Sequence, residues 1–191
     1  MSRSGNGILS ALLGAAAAIV RAVTRGGERT TTPSRRPAPG GATIAPGTSP
    51  GQGGGTDTVE VDPRSVGRLA LDYSPDRDGD PDAGEIIWTW VPYAERDGRG
   101  KDRPVLVIAR QSADRVYAVK LTSKSHDDER DYLSIGSGPW DGQGRESWVD
   151  IDQLYSVHRR GMRREAAALD RERYDRVASV LERRYGWGPT S

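Results

Sequence analysis

An arginine stands immediately before a proline at the start of an apolar run, in the stretch Arg103-Pro104-Val105-Leu106-Val107. The guanidinium of Arg103 stays charged at any working pH, and its planar donor group matches two oxygens of a phosphate. Two hydroxyl residues, Thr122 and Ser123, end the next apolar run. Hydroxyls can donate hydrogen bonds to a phosphate, although unaided they are poor bases. These residue types at two neighbouring strand ends predict phosphate binding.

A purely structural role is open for the same residues. Arg103 could pair with Asp102 or Glu85, and a Thr or Ser hydroxyl often closes a strand end by bonding the local backbone. The elements around these residues must therefore decide whether they meet.

Three short apolar runs position these residues. Residues 85–91 alternate between two faces and stop at Pro92, which has no N–H for a sheet ladder. Residues 105–109 are continuously apolar, as in a strand covered on both faces, with Pro104 at its first position. Residues 116–122 alternate again. The polar stretch 93–102 between the first two runs is predicted to be a loop, where binding residues often lie.

The C-terminal half predicts more short strands and one helix. Strands are expected over 132–135, 147–151 and 154–157, and a turn-rich segment over 136–144 carries Trp140, either a binding aromatic or the cap of a barrel end. Asp170 is a good helix N-cap before an apolar stripe that ends at Gly186. The stripe comprises Tyr174, Val177, Ala178, Leu181 and Tyr185. About six short strands with one covering helix predict a mainly β (α+β) fold, a small bent barrel with a C-terminal α-helix.

Composition excludes several kinds of site. The 191 residues contain no cysteine and two histidines, so neither a disulfide framework nor a Cys- or His-based metal site is expected. All five Trp and seven Tyr lie after residue 72. Residues 1–55 carry six Arg and one acid, residues 56–83 carry three Arg and eight acids, and the remainder is nearly neutral. Any nucleic-acid binding must therefore come from a local basic patch.

The N-terminal part divides into three segments. Residues 1–25 predict an amphipathic helix, whose apolar positions within 8–23 could contact a membrane or a partner; a frayed Ala-rich helical tail is favoured. Residues 26–71, rich in Gly, Pro, Ser and Thr, predict a disordered linker. The acidic segment 72–83 alternates Asp, but a calcium-binding loop starting at Asp76 would need Gly at Pro81 and Glu at Ile87. We therefore favour a solvated acidic turn, which could also shield a basic loop.

Four motifs follow one another in a familiar order. They are G-E-I-I-W at 84–88, G-K-D-R-P-V-L-V-I at 100–108, L-T-S at 121–123 and S-W-V-D-I-D-Q-L-Y-S-V at 147–157. Each motif alone is weak, but together they resemble the MazF/PemK family of bacterial toxins. The resemblance covers 84–187 and implies an SH3-like barrel that forms a homodimer.

The resemblance also implies an activity: a metal-independent, cofactor-free RNA endonuclease of a type II toxin–antitoxin system. In such a reaction the RNA's own 2′-hydroxyl attacks the adjacent phosphorus, so an enzyme must accept a proton and stabilise the phosphoryl charge. By motif position, the catalytic residues would be Arg103, Thr122, Ser123 and Asp152. The substrate-binding residues would be Arg96, Arg99, Lys101, Lys120 and Gln153.

One position departs from the family pattern. Asp150 stands where some members carry a basic residue, which would remove a phosphate contact and bring two carboxylates together; Lys120 could partly replace the lost charge. Two alternatives to a nuclease therefore stay open, a toxin that binds DNA gyrase on the same fold and a catalytically weakened nucleic-acid-binding regulatory barrel. The expected partners are RNA, a cognate antitoxin and, through the antitoxin complex, DNA, in a cytoplasmic location with peripheral membrane contact through 8–23 as an option.

Overall fold

The computed structural model describes residues 49–76, 78–95 and 97–188. The amphipathic helix expected within 1–25 lies outside the described residues, as does any membrane contact through 8–23. Within the described ranges, no helix is long and apolar enough to cross a membrane.

Seven strands, one α-helix and two short 3-10 helices, Pro63–Ser65 and Arg159–Gly161, make up the described fold. The strands and the α-helix are β1 (Val59–Val61), β2 (Glu85–Pro92), β3 (Gly100–Arg110), β4 (Arg115–Thr122), β5 (Tyr132–Gly136), β6 (Ser147–His158), β7 (Met162–Ala168) and α1 (Arg171–Tyr185). The strands form one sheet in the order β1-β6-β4-β3-β2-β7, with β5 pairing β6 off this path, and every pairing is antiparallel. The predicted mainly β fold with a C-terminal helix is confirmed.

Strand β3 is longer than the sequence predicts. It begins at Gly100, so Lys101 and Arg103 lie in a strand and the loop is confined to 93–99; the prediction of a loop through Asp102 is wrong. Pro104 is tolerated inside the strand because β3 pairs with β4 only from Val105 onward. At Pro104 the strand has β2 as its neighbour on one side, so a missing N–H costs little, as on an edge strand.

Strand β6 joins two strands that the sequence predicts separately. The break expected between 151 and 154 is instead an irregularity: Val119 pairs with Leu154, but Leu121 pairs with Val149. Extra residues on one strand bend it and redirect its side chains, as β-bulges do. We call residues 150–153 the β6 bulge. The sequence does not predict the short strands β1 and β7. Strand β1 has only three residues, and β7 begins with the charged run 162–165, so neither carries a clear periodic pattern.

Helix α1 forms as its sequence predicts. The Asp170 carboxylate accepts a hydrogen bond from the Arg173 N–H (3.0 Å), and Gly186 ends the helix in the left-handed region at a φ of 75°. The buried positions are Tyr174, Val177 and Leu181. The Tyr174 hydroxyl donates to the carbonyl of Ile108, which fixes the helix against the sheet.

The two faces of the sheet carry separate apolar clusters. One contains Ile86, Leu106 and Leu121 together with the buried face of α1. The other contains Ile87, Val91, Val105, Val107, Val116, Ala118, Tyr155 and Val157, all at most 2% exposed. No helix residue belongs to this second cluster, so the sheet must curl around it to exclude water, which supports the small barrel.

Residues 49–62, which we call the N-terminal strap, close the curled sheet on one side. The strap bonds to β2 through Trp90 N–H to the Pro50 carbonyl (3.2 Å) and through the Thr58 and Thr89 hydroxyls (2.7 Å), and then pairs with β6 as β1. A Cβ on Gly161 would lie 2.3 Å from the Thr56 carbonyl, so this contact requires glycine. The prediction of a disordered linker is therefore wrong for residues 49–71.

The chain after the strap also packs on the domain. Leu69 and Leu71 are buried, and their backbone exchanges hydrogen bonds with Gly188 beyond the helix. Composition hides this order, because a few well-placed apolar residues and paired backbone groups offset the ordering entropy of an otherwise polar segment.

Candidate functional site

Arg103 lies where two strands separate. Its Cα partner on β2 is Thr89, while pairing with β4 begins only at Val105. The side chain is half-buried and lines the clefts on both sides of this opening. Among the described residues no carboxylate forms an ion pair with it: Asp102 faces Arg163 (4.0 Å), and Glu85 accepts from the Asp82 N–H. The alternative in which Arg103 merely pairs with Asp102 or Glu85 is therefore wrong.

The first cleft, of about 380 Å³, lies on the side of the second apolar cluster. Its walls combine polar and cationic side chains with the end of β2 and the following loop. The lining residues are Val91, Pro92, Tyr93, Ala94, Glu95, Arg99, Arg103, Lys120, Gln153 and Tyr155. The structure thus brings four predicted residues, Arg99, Arg103, Lys120 and Gln153, into one cleft.

A chain of hydrogen bonds orders the wall of the first cleft. Lys120 Nζ donates to Gln153 Oε1 (2.5 Å) and to the buried Asp150 carboxylate (3.1 Å), and the Tyr155 hydroxyl also donates to Gln153 Oε1 (2.9 Å). Because Gln153 Oε1 accepts both bonds, its amide nitrogen is left to donate elsewhere. Burial raises the pKa of Tyr132 to about 12, and the negative charge of Asp150 and a hydrogen bond to its carboxylate add to this effect. Burial, the largest cause, likewise raises the pKa of Tyr155.

The second cleft, of about 510 Å³, lies on the helix side of the sheet. Its lining includes the apolar side chains of Trp88, Pro104 and Leu121 together with hydroxyls and cations. The other lining residues are Lys101, Asp102, Arg103, Thr122, Ser123, Lys124, Trp140, Asp141, Gly142, Gln143, Arg145 and Ser147. Here the structure joins Arg103 to three further predicted residues, Lys101, Thr122 and Ser123.

Asp152 does not join the other predicted residues. The β6 bulge turns its carboxylate toward α1, where Arg184 Nη2 donates to it (2.7 Å) and to Asp131 (2.6 Å). Burial is the largest single influence on the pKa of Arg184 and lowers it. The hydrogen bonds to Asp131 and Asp152, together with Tyr185, outweigh burial, so the pKa is raised. Asp152 lines neither cleft. In this arrangement it anchors the helix to the sheet.

Some other predicted residues are placed less centrally. Arg99 is exposed and pairs with Asp97 (2.6 Å), whose pKa is lowered by hydrogen bonds from Arg99. Arg96 lies outside the described residues. Trp140 is 5% exposed, and its Nε1 donates to Ser147 (3.1 Å), so it belongs mainly to the core and only edges the second cleft.

The described residues of the acidic segment lie away from the two clefts. Asp82 pairs with Arg110 (3.2 Å) and Asp80 with Arg159 (2.9 Å), and none of the described residues of the segment lines either cleft. Across the described ranges, no three His, Asp or Glu side chains are grouped to hold a metal ion.

The sequence model for the PemK-like, MazF-like toxin of type II toxin–antitoxin systems matches residues 82–184, more than half of the chain. This chain belongs to that family. Comparison with curated proteins finds none that matches this chain.

Three solved structures similar to this chain come from Deinococcus radiodurans. Two are crystal forms of a MazE–MazF complex, at 19% and 20% identity, covering 56% and 60% of this chain and 97% and 98% of the other, each with a TM-score of 0.43. A third, of MazF, has 20% identity, covers 60% of this chain and 99% of the other, and has a TM-score of 0.41. Membership in the family rests on the sequence model.

The position at which this PemK-like toxin departs from its family pattern is the buried Asp150. The sequence predicts two neighbouring carboxylates there, but the β6 bulge directs Asp150 to Lys120 and Asp152 to Arg184. The two acids are thereby neutralised separately, and the expected clash between them is absent. Sequence reasoning could not find this because a regular strand places residues two apart on one face.

Two residues of the toxin's clefts escape sequence reasoning. Trp88 alternates with buried neighbours, a pattern typical of a core position, yet it is half-buried and lines the second cleft. Tyr155 alternates in the same way on β6, and its hydroxyl reaches Gln153 in the first cleft. The amphipathic character of Trp and Tyr, which often keep one polar end accessible, is the signal that could have found them.

Proposed function

We propose that this PemK-like toxin is an endoribonuclease that cuts RNA without a metal ion. The observation that carries the proposal is the position of Arg103, which lines two clefts at once and forms no ion pair with a carboxylate in the described part of the chain. The Arg103 guanidinium is a cation with a planar pair of donors, and it lies in an opening between strands. Such a group suits a phosphodiester whose flanking nucleotides extend into the clefts on either side.

The reaction assigned to the site is an intramolecular transfer. The 2′-oxygen forms a bond to phosphorus as it loses its proton, and the bond from phosphorus to the 5′-oxygen breaks as that oxygen gains one. The products are a 2′,3′-cyclic phosphate and a 5′-hydroxyl. Negative charge grows on the non-bridging oxygens, and a preorganised guanidinium stabilises the transition state more than the ground state.

The two clefts supply further contacts around that phosphate. Thr122 and Ser123 offer hydroxyl donors on one side. Lys120 has three N–H donors, of which Asp150 and Gln153 occupy two, so one is left for the substrate on the other side. Asp152 is assigned a structural role here because its carboxylate binds Arg184.

Partners of the toxin are part of the proposal. A type II system pairs a toxin with an antitoxin, and we propose an acidic antitoxin segment as the ligand that competes with RNA for Lys101, Arg103 and Lys120, with DNA contact arising through that complex. We also propose a homodimer. Co-purification with the product of the neighbouring reading frame tests the antitoxin complex. Light scattering of the full chain at micromolar concentration tests the homodimer, which a strictly monomeric chain would contradict.

The test of the activity is incubation of the full chain with a long RNA in EDTA, with sequencing of the new ends. Arg103→Ala should lower the cleavage rate by on the order of a hundredfold, since losing one such contact costs about 3 kcal/mol in the transition state. Arg103→Lys should recover only part, because an ammonium lacks the paired donors. A substrate with a 2′-deoxyribose at the cut site should resist cleavage.

The matched control is Arg110→Ala, on the same strand. Arg110 is exposed, pairs with Asp82 and lines neither cleft. Arg145, outside the family motifs, cannot serve as a control because it lines the second cleft. Full activity in a folded Arg103→Ala protein would overturn the proposal, and a folded wild-type chain that cuts no RNA would leave gyrase binding or a regulatory role to be tested.

A further inference from the structure

Trp88 is a large aromatic side chain that neither apolar cluster uses. Trp140 and Trp187 belong to the cluster beneath α1, whereas Trp88 is half-buried and belongs to neither cluster among the described residues. It stands on the same strand face as Ile86, which the helix cluster includes. The cluster beneath α1 therefore includes Ile86 and not Trp88, and the indole lines the second cleft.

Trp88 and its two cross-strand neighbours form a group that we call the Trp88 platform. The Cα partners of Trp88 are Pro104 on β3 and Arg163 on β7, and the Arg163 guanidinium carbon lies over the indole ring, 5.8 Å from its centre, so a cation lies against one face of the indole. An indole beside a proline ring offers an apolar plane, and a guanidinium adds a cation that stacks on aromatic rings. Such a platform suits a planar ligand with a π face.

Charge around the platform points to an anionic ligand. Lys101, Arg103 and Lys124 line the same cleft, and none of the three forms an ion pair with a described carboxylate. The acids of the cleft are engaged, Asp141 by Arg145 (2.8 Å) and Asp102 by Arg163 (4.0 Å). Hydrogen bonds from Arg145 hold the pKa of Asp141 below its usual range. The cleft therefore combines an aromatic side chain with three cations that pair with no described carboxylate, and each of its two acids has an arginine neighbour.

We propose that Trp88 stacks an unpaired nucleobase of the RNA, next to the phosphate held by Arg103. The inference rests on the proposed function and adds the element that makes the second cleft a nucleotide subsite. A stacked base must leave its own helix, so the substrate is single-stranded at this position. Stacking is tolerant of base identity because every base has a π face, so Trp88 contributes affinity and placement, and sequence choice falls to the polar rim.

The experiment measures binding separately from cleavage. The full chain is titrated into a short, single-stranded 2′-O-methyl RNA of mixed sequence, which lacks the nucleophilic hydroxyl, and binding is followed by fluorescence anisotropy. Trp88→Ala should weaken binding about tenfold, and Trp88→Phe should recover most of the loss. The dependence of binding on salt should keep its slope, because stacking releases no counter-ions. Lys124→Ala should reduce that slope.

Two controls isolate the base and the residue. An abasic strand with the same phosphates should bind wild-type and Trp88→Ala protein equally. Trp90→Ala, the same change two residues along β2 at a half-buried indole that lines neither cleft, should bind the RNA as wild type does once melting confirms that it is folded.

The outcomes separate this inference from the proposed activity. RNA binding by folded Trp88→Ala that equals the wild type would overturn the inference, even if the wild type cleaves RNA, and would leave the platform to a peptide partner. Binding that depends on Trp88 in a chain that cuts no RNA would support the inference and overturn the nuclease. Absence of binding by the wild type would overturn the inference.

Discussion

The buried carboxylate of Asp150, 4% exposed, lies 3.1 Å from the ammonium of Lys120 on the wall of the first cleft. Lys120 is itself only 17% exposed at its side chain. Each charge is therefore the principal compensation for the other in a place where water is scarce. This relationship links the stability of the domain to the cation that the cleft offers to substrate.

The first prediction separates those two contributions of Lys120. Lys120→Met should destabilise the fold by about 3 kcal/mol, because it leaves the buried Asp150 carboxylate without its cationic partner, and should also weaken RNA binding. Adding Asp150→Asn should restore most of the melting temperature, since a neutral amide is cheaper to bury, but should not restore binding. Thermal melts and anisotropy titrations of both variants are the measurements. Recovery of binding in the double variant would show that Lys120 acts only through the fold.

The second prediction concerns Asp152, which family position marks as catalytic and the structure ties to Arg184. Asp152→Asn should leave the cleavage rate within a few-fold of wild type and lower stability by roughly 1 kcal/mol or less, as expected for a partly exposed ion pair. Arg184→Gln should behave in the same way, because it removes the other half of the contact. A loss of cleavage confined to Asp152→Asn would restore proton transfer as its role.

The third prediction concerns the N-terminal strap. A chain that begins at Ser49 should melt close to the full chain, whereas one that begins at residue 82 should melt markedly lower, because it lacks β1, Leu69 and Leu71 and exposes part of the apolar cluster beneath α1, to which both leucines belong. The sequence predicts instead that 84–187 folds alone. Circular dichroism melts of the three chains decide between these expectations, and equal melting temperatures would show that the strap adds nothing.

The fourth prediction is a pH dependence at His158. Its Nδ1 accepts from the Arg160 N–H (3.1 Å), which requires the neutral ring. Burial, the largest cause, and then the charges of Arg115 and Arg160 lower the pKa of His158, with Asp114 opposing them. Below the unfolded value of about 6.5 the unfolded chain binds a proton that the folded chain refuses, so stability falls as pH decreases through this range.

His158→Asn tests this assignment. An Asn side chain can accept the same local backbone bond and does not titrate, so the drop in melting temperature from about pH 7.5 to pH 5.5 should be smaller than in the wild type. The matched comparison is the same change at the second histidine, His126→Asn, whose ring stacks on Tyr132 in the wild type. An unchanged pH dependence in His158→Asn would assign the effect to other groups.

Local signals along the chain were sufficient for much of this fold. Alternation in 85–91 and 116–122, the Asp170 cap and the Gly186 stop depend on neighbours within a few residues, and the structure confirms each. The order of the motifs also identified the family. Arg103 could be selected from sequence because it stands in the motif G-K-D-R-P-V-L-V-I, which resembles that of the family.

Tertiary structure alone decided which residues meet. The separation of β3 from β4 beyond Val105 opens both sides of the sheet to Arg103, and the β6 bulge sends Asp150 and Asp152 to different partners. Strand register and bulges depend on pairing between segments far apart in the chain, which local periodicity does not encode. The strap was hidden for the same reason: its order comes from hydrogen bonds to Thr89 and Trp90 and from pairing with β6, not from its own composition.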